Sequence, residues 1–469
     1  MPKSRKYCAA IYICTSFLFL ILLLSHTYND IVVTTRHGIN FWNILLDGKF
    51  LDFYNLNVTA SGNEHYPIVQ SCAYNILVYI VFAVWNLPLY LLERFAGVDV
   101  MNSILCLVYS KLMVVACAAA VVFVLKKLLE VLNVSDEQHG LLLYLFASST
   151  LLITVVFLTG QYDMFSLFFQ LLGLLAFIRR KNKAFVLWFG IAFCFKYFAA
   201  VIFLPLLLLR HKKAAAWIRN FVMLLVPVLI TKLPFFLHDQ FSRAADVSST
   251  VGDTMAGGLM LNMLSSSTVG TGVNLFVIVY AILLVWCYLH QEKTDTSGHC
   301  GVWVCMIAYA AFFGLMNAYP YWSVLLAPFV TLSIALAPKH MYINLILETV
   351  GYAGLIGVNM LRYNWVYFGD TLKPMIWPHI LEGTEFDAGY SSSRIHHIIC
   401  SLYSYPHIHA VLNSVFLGAM VALAYTTFPG QNSAAGQKLP DPRGCCDILL
   451  LRLLINSFIC LLPILAIFI

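Results

Sequence analysis

Asp30, Asp163 and Lys196 carry charge where the surrounding sequence is apolar or borders an apolar run. Asp30 ends Ser25-His26-Thr27-Tyr28-Asn29-Asp30, just beyond the first apolar run and ahead of a helix over 35–48. A half-desolvated carboxylate at that boundary has a raised pKa and suits a general base; its plainer role is a helix-capping acid. Asp163 follows the short turn Thr159-Gly160-Gln161-Tyr162 and opens the next apolar run. An acid there caps the helix and complements its dipole, and a membrane carboxylate facing a bundle interior is also a functional candidate. Lys196 interrupts Phe193-Cys194-Phe195-Lys196-Tyr197-Phe198. A lysine in hydrocarbon costs at least about 2.5 kcal/mol unless it snorkels or meets water or an anion. A lipid phosphate and Asp163 are the candidate partners.

Two further groups have side chains suited to ligands. Asn317-Ala318-Tyr319-Pro320-Tyr321-Trp322 is an aromatic turn; such rings anchor at a membrane interface, and Tyr319 and Tyr321 are also candidates for stacking on a sugar ring. His396, His397, His407 and His409 cluster late in the chain, without an acidic or cysteine ligand at diagnostic spacing, so no metal site is assigned.

The elements that position these residues are membrane helices. The 469 residues are 61% hydrophobic and 11% charged, with mean hydropathy +0.82; soluble domains carry roughly 25% charge. A soluble chain and a disordered one are both excluded. The apolar runs are long and continuous rather than alternating, which selects helices over a barrel. The net charge of +6 is a topology signal, and no basic stripe for nucleic acid appears. The cysteines are scattered through apolar runs, without metal spacing.

Simple alternation of the runs puts Lys126-Lys127 and Arg179-Arg180-Lys181-Lys183 outside, against the positive-inside rule. Parity is restored if 72–92 forms an external or re-entrant hairpin. The 184–209 run, basic at both ends, then splits into two half-helices turning near Lys196. The expected fold is all-α and polytopic, with about 13 transmembrane helices, a cytoplasmic N-terminus and an external first loop carrying juxtamembrane helices. The helix over 35–48 is expected to lie amphipathically in the interface. The large loops 25–101, 237–272 and 362–406 are all external in this topology. The apolar run 140–159 is read as one span.

This order of features resembles the GT-C fold glycosyltransferases, membrane enzymes that use polyprenyl-phosphate sugars. The likeness runs over residues 8–240. It comprises Asp30 leading into a helix that ends Leu45-Leu46-Asp47-Gly48; His65-Tyr66-Pro67 before the juxtamembrane stretch; Gly160-Gln161-Tyr162-Asp163 opening a span closed by Arg179-Arg180; and Gly190 through Lys196 running into Leu204-Pro205. Asp30 is followed by Ile31, so the acid pair of some members is absent. The resemblance implies a catalytic module over 1–240 and a C-terminal transmembrane module over 241–469. It implies Asp30 as the base on an acceptor hydroxyl, Asp163 as its support, and Arg36, His37 and Lys196 near the leaving phosphate. His65, Gln161 and Tyr162 fall in the likeness as substrate-binding candidates. The donor would be a polyprenyl-phosphate-linked sugar and the acceptor a glycan, lipid or protein. No cofactor is implied. The site would be extracytoplasmic, in a plasma or endoplasmic-reticulum membrane.

Two rival readings stand beside this one. A lipid-linked glycan flippase or transporter also uses broken helices and midplane charges. A polysaccharide polymerase or ligase of another membrane fold would carry a large late external loop, as 362–406 is.

Overall fold

The computed structural model describes residues 3–57, 72, 74–101, 103–238, 268–269, 273–290, 297–316, 318–363, 372–374, 398, 401–402, 405–429 and 445–465. The fold is all-α. Helix α1 (Lys3–Ser25) leads through a short strand β1 (His26–Tyr28) into α2 (Asn29–Leu46). A bent pair follows, α3 (Ile76–Trp85) and α4 (Leu87–Ala96), then the long α5 (Ile104–Val131). Next come α6 (Asp136–Ala147), α7 (Thr150–Leu152) running on as a π-helix Ile153–Thr159, α8 (Asp163–Ile178), α9 (Asn182–Phe195), α10 (Ala199–Arg210) and α11 (Ala214–Phe236). The C-terminal part contains α12 (Leu275–Leu289), α13 (Ser297–Leu315), a 3-10 turn Pro320–Leu326, α14 (Ala327–Ala335), α15 (Met341–Tyr363), α16 (Pro406–Thr426) and α17 (Cys446–Leu465). Among the described residues, five helices are long and apolar enough to cross a membrane, or up to seven if each bent pair is one span; six shorter apolar helices accompany them. This is a polytopic membrane protein.

The breaks have local causes. Between α3 and α4 the axis turns by 62°, where Asn86 meets Pro88 near the start of α4. Proline tolerates only the first helical turn. The bend is fastened to α5: Trp85 Nε1 donates to the Tyr109 carbonyl and the Tyr109 hydroxyl donates to the Trp85 carbonyl, both at 3.0 Å, while Ser110 Oγ donates to Asn86 Oδ1 at 2.9 Å. The expected hairpin over 72–92 is thus a bent helical pair.

The single span expected over 140–159 is instead α6 and α7, bent by 48°. Ser149 caps the second helix by accepting from Leu152 N–H at 3.1 Å. The carbonyls freed at the bend go to α17: Arg452 Nε and Asn456 Nδ2 donate to Ser148 O at 2.9 and 2.8 Å, and Arg452 also donates to Leu145 O. Arg452 is paired with Glu348 of α15, and both side chains are buried. The unpaired carbonyls and the buried charge therefore satisfy one another.

Helix α2 begins at Asn29, earlier than expected, and it does not rest on an interface with one face exposed. Residues 31–41 are almost entirely buried, and exposure returns only from Leu45. The closeness of α3 explains this. At Gly38 an added Cβ would lie 2.9 Å from the Phe82 backbone, so the two helix backbones nearly touch. Two hydroxyls on the covered face are satisfied within the helix: Thr34 and Thr35 donate to the carbonyls of Asp30 and Ile31, each at 2.6 Å.

The split of 184–209 at Lys196 is present. Helix α9 ends at Phe195, Lys196 is extended (φ −150°, ψ 124°) and α10 starts at Ala199. Buried hydroxyls and an amide hold the break. Ser166 donates to Ala192 O at 3.0 Å, Gln170 donates to Ser166 at 2.9 Å, and Tyr309 donates to Gln170 Oε1 at 2.7 Å and to Phe198 O at 3.2 Å. Within α10, Pro205 has no N–H for Val201 O, and the Tyr280 hydroxyl donates there instead at 2.9 Å.

Candidate functional site

The ends of α1, the π-helix and α9 converge, and each delivers one charged residue of the site. Asp30 stands in the first turn of α2, where the amide dipoles favour an anion. Its Oδ2 accepts a hydrogen bond from Gln161 Nε2 at 3.2 Å. Burial pushes the Asp30 carboxyl up from its ordinary range, while the Gln161 hydrogen bond and the Lys196 charge oppose that rise. It is half-buried, so desolvation acts while access remains.

Gln161 is aimed by a helix ending. The π-helix closes at Gly160, left-handed at φ +72°, and Gln161 N–H bonds back to Val155 O at 2.9 Å. Non-glycine residues rarely adopt that conformation, and an added Cβ would also lie 2.8 Å from Lys111 Cγ. Asp163 then opens α8. It is fully buried, and Lys196 Nζ lies 3.1 Å from its Oδ1.

Lys196 sits in a box of rings. Tyr162, Tyr74, Trp322 and Tyr321 present their faces at 5.1, 5.4, 5.5 and 5.7 Å from Nζ. Cation–π contacts of this kind each contribute roughly 0.5–2 kcal/mol. Together with Asp163 they offset the cost of holding an ammonium away from water. Tyr321 stacks on Tyr319 at 5.7 Å and meets Tyr28 at 6.0 Å. Tyr319 is 38% exposed, so the aromatic wall reaches the surface.

The site contains unused hydrogen-bonding capacity. Asp163 Oδ2, Gln161 Oε1 and Trp322 Nε1 are buried without a hydrogen-bond partner among the described residues. Leaving such groups unmet costs about 1–3 kcal/mol each. A cluster of acceptors and a donor beside two carboxylates, an ammonium and aromatic faces can receive a hydroxyl-bearing ligand. An apolar cavity of about 700 Å³ lies between α3, α4, α5, α8 and α9, lined by Trp85, Pro88, Tyr109, Phe165, Phe168 and Phe195 among others. Phe165 and Phe195 are near neighbours in sequence of Asp163 and Lys196.

Of the residues singled out in the sequence, Asp30, Gln161, Tyr162, Asp163, Lys196 and Tyr321 come together, with Tyr319 at the edge. Arg36 is paired with Glu93 of α4 at 2.8 Å. His37 is buried with Nδ1 3.3 Å from Cys72 Sγ and its ring edge-on to Tyr79. Both therefore sit in the packing of α2 against its neighbours. His65, His396 and His397 lie outside the described residues. Among the described residues no three His, Cys, Asp or Glu are grouped to hold a metal ion.

The sequence reading missed Tyr74 and Lys111 and gave Trp322 no role of its own. Trp322 is in the aromatic turn already noted, and Lys111 is a charge within a span, which is a signal. Tyr74 had none, since tyrosine ahead of an apolar run is ordinary. Within 362–406, Leu372–Pro374 forms a strand, β4 after the short hairpin of β2 (Thr268–Val269) and β3 (Val273–Asn274), and pairs antiparallel with β1. Thr27 faces Lys373 and Tyr28 faces Leu372 in register. The loop over 362–406 and the first loop therefore meet two residues before Asp30.

Compared with curated proteins, the chain matches none. The model of the EpsG family matches residues 111–379. That stretch takes in Lys111, the Gly160–Asp163 turn, Lys196, the Tyr321-Trp322 wall and β4, and leaves Asp30 and α2 outside it. More than half the chain is covered, with the buried ion pair, the aromatic wall and the late strand inside the match: the chain belongs to the EpsG family, which is associated with membrane glycosyl transfer or polymerisation.

Proposed function

We propose that the protein is an integral-membrane glycosyltransferase of GT-C type. It moves a sugar, of hexosyl or mannosyl type, from a polyprenyl-phosphate carrier to an acceptor hydroxyl on a glycan, lipid or protein. The site faces the extracytoplasmic side. The observation that carries the reading is the meeting of Asp30, Gln161 and the Asp163–Lys196 pair under an aromatic wall, with buried polar atoms left open.

In this reaction the acceptor hydroxyl gives its proton to Asp30 as its oxygen bonds to the anomeric carbon. The bond from that carbon to the phosphate oxygen breaks, and its electron pair leaves with the phosphate. One displacement inverts the configuration. A base with a pKa raised by burial accepts the proton nearer neutral pH than an ordinary aspartate. Lys196 supplies positive charge where negative charge develops, and Asp163 fixes the ammonium. The open atoms of Asp163, Gln161 and Trp322 suit sugar hydroxyls. The apolar cavity supports a lipid-borne donor, because a prenyl chain is apolar along its length. The reaction as written draws on no cofactor.

A second reading, polymerisation of a lipid-linked glycan, is favoured by one observation: the late loop adds its strand to β1 beside Asp30. It uses the same base with a longer acceptor. Purified protein in vesicles, given a polyprenyl-phosphate sugar and an acceptor glycoside, tests the proposal. Release of polyprenyl phosphate with an inverted glycoside is expected. Movement of intact donor across the bilayer without bond cleavage would favour a flippase and overturn it.

A further inference from the structure

Lys111 lies in the first third of α5 and is completely buried. Its Nζ donates to the carbonyls of Leu22 and Leu23 at 3.0 and 3.4 Å, and to that of Leu158 at 3.0 Å. Leu22 and Leu23 are in the last turn of α1, and Leu158 is in the last turn of the π-helix. The final carbonyls of a helix have no partner within it and carry its negative dipole end. One ammonium thus closes two helix endings at once. The chain leaving the first ending reaches Asp30 through β1, and the chain leaving the second reaches Gln161 through Gly160. The Lys111 stem also fills the space over Gly160 that a side chain there would need.

We propose that Lys111 is a positioning residue that sets the separation of Asp30 and Gln161 by tying the end of α1 to the end of the π-helix. It touches no reacting atom in this account. Its effect runs through the 3.2 Å hydrogen bond between Gln161 and Asp30. The other titratable groups facing Asp30 are Lys196, Asp163, Tyr28, Tyr74, Tyr162 and Tyr321. None of them belongs to α1, α5 or the π-helix, so loosening the tie acts on Gln161 first.

The activity arm of the test rests on the glycosyl-transfer reading; a second arm does not. Lys111→Met keeps the unbranched stem, one atom shorter, and removes the ammonium. In the full-length protein in detergent, amide hydrogen exchange is expected to rise at least five-fold over 153–163 and 26–34, and to stay unchanged in α13. The acid limb of kcat/KM is expected to move to higher pH, because Gln161 then no longer favours the Asp30 carboxylate. Adding Lys111→Met to Gln161→Leu is expected to change the profile no further. Lys111→Arg, which keeps donors and charge, is expected to restore most of the activity. If Lys111→Met is not recovered folded, Lys111→Gln, an uncharged donor, takes its place in every measurement. Exchange unchanged in both segments, or an acid limb that does not move, would overturn the proposal. A wild-type protein that transfers no sugar would overturn the glycosyl-transfer reading, while the exchange measurement would still decide the role of Lys111.

Discussion

Gln161 donates a hydrogen bond to the Asp30 carboxylate at 3.2 Å, across 131 positions of chain. This bond joins the first loop to the turn before α8, and through that turn to the buried pair of Asp163 and Lys196. It also decides how the candidate base titrates. Burial raises the Asp30 pKa and this bond lowers it. Gln161→Leu removes this lowering influence and leaves that of the Lys196 charge in place. Asp30 must be deprotonated to act, so the acid limb of kcat/KM is expected to move to higher pH. The pH–rate profile of the purified variant checks this.

Lys196 and Asp163 stand or fall together. Lys196→Met leaves a carboxylate fully buried without its cation, which costs about 3–5 kcal/mol. A large drop in thermal midpoint is expected in detergent. Lys196→Met combined with Asp163→Leu removes both charges, and is expected to recover most of the stability and none of the transfer. Thermal unfolding and sugar transfer of the single and double variants separate the two effects.

Trp322 offers a ring to Lys196 and an open N–H. Trp322→Phe keeps an aromatic face and deletes the donor. A three- to ten-fold rise in KM with kcat little changed is expected, the size of one neutral hydrogen bond. Initial rates over a range of acceptor concentrations report it.

The C-terminal helix is held by charge rather than by apolar packing alone. Arg452 reaches Glu348 and the carbonyls of Leu145 and Ser148. Arg452→Met strands Glu348 and opens the bend between α6 and α7. A loss of about 3–5 kcal/mol is expected, and limited proteolysis should then cut near Ser148.

Much of this architecture was legible in the sequence because charge placement constrains membrane helices strongly. The break at Lys196 followed from basic residues at both ends of one apolar run. The hairpin over 72–92, which is the bent pair α3 and α4, followed from the basic residues that simple alternation would have put outside. The bend at Ser148-Ser149 was not visible, because Arg452, which takes the freed carbonyls, lies about 300 residues away. The burial of α2 was missed because its polar residues read as a wet face, although Gly38 already permits another backbone to approach. The resemblance implied Arg36 and His37 as phosphate ligands; their contacts with Glu93 and Cys72 were not visible because those residues are distant in sequence. The pairing of β1 with β4 had no local signal, since three-residue strands carry no periodicity.

Sugar transfer by Asp30→Asn tests the central claim most directly. The substitution keeps the size of the side chain and removes the base. The account predicts a folded protein that binds donor and transfers sugar at least about a thousand-fold more slowly than the wild type. Transfer within about two-fold of the wild type would contradict it.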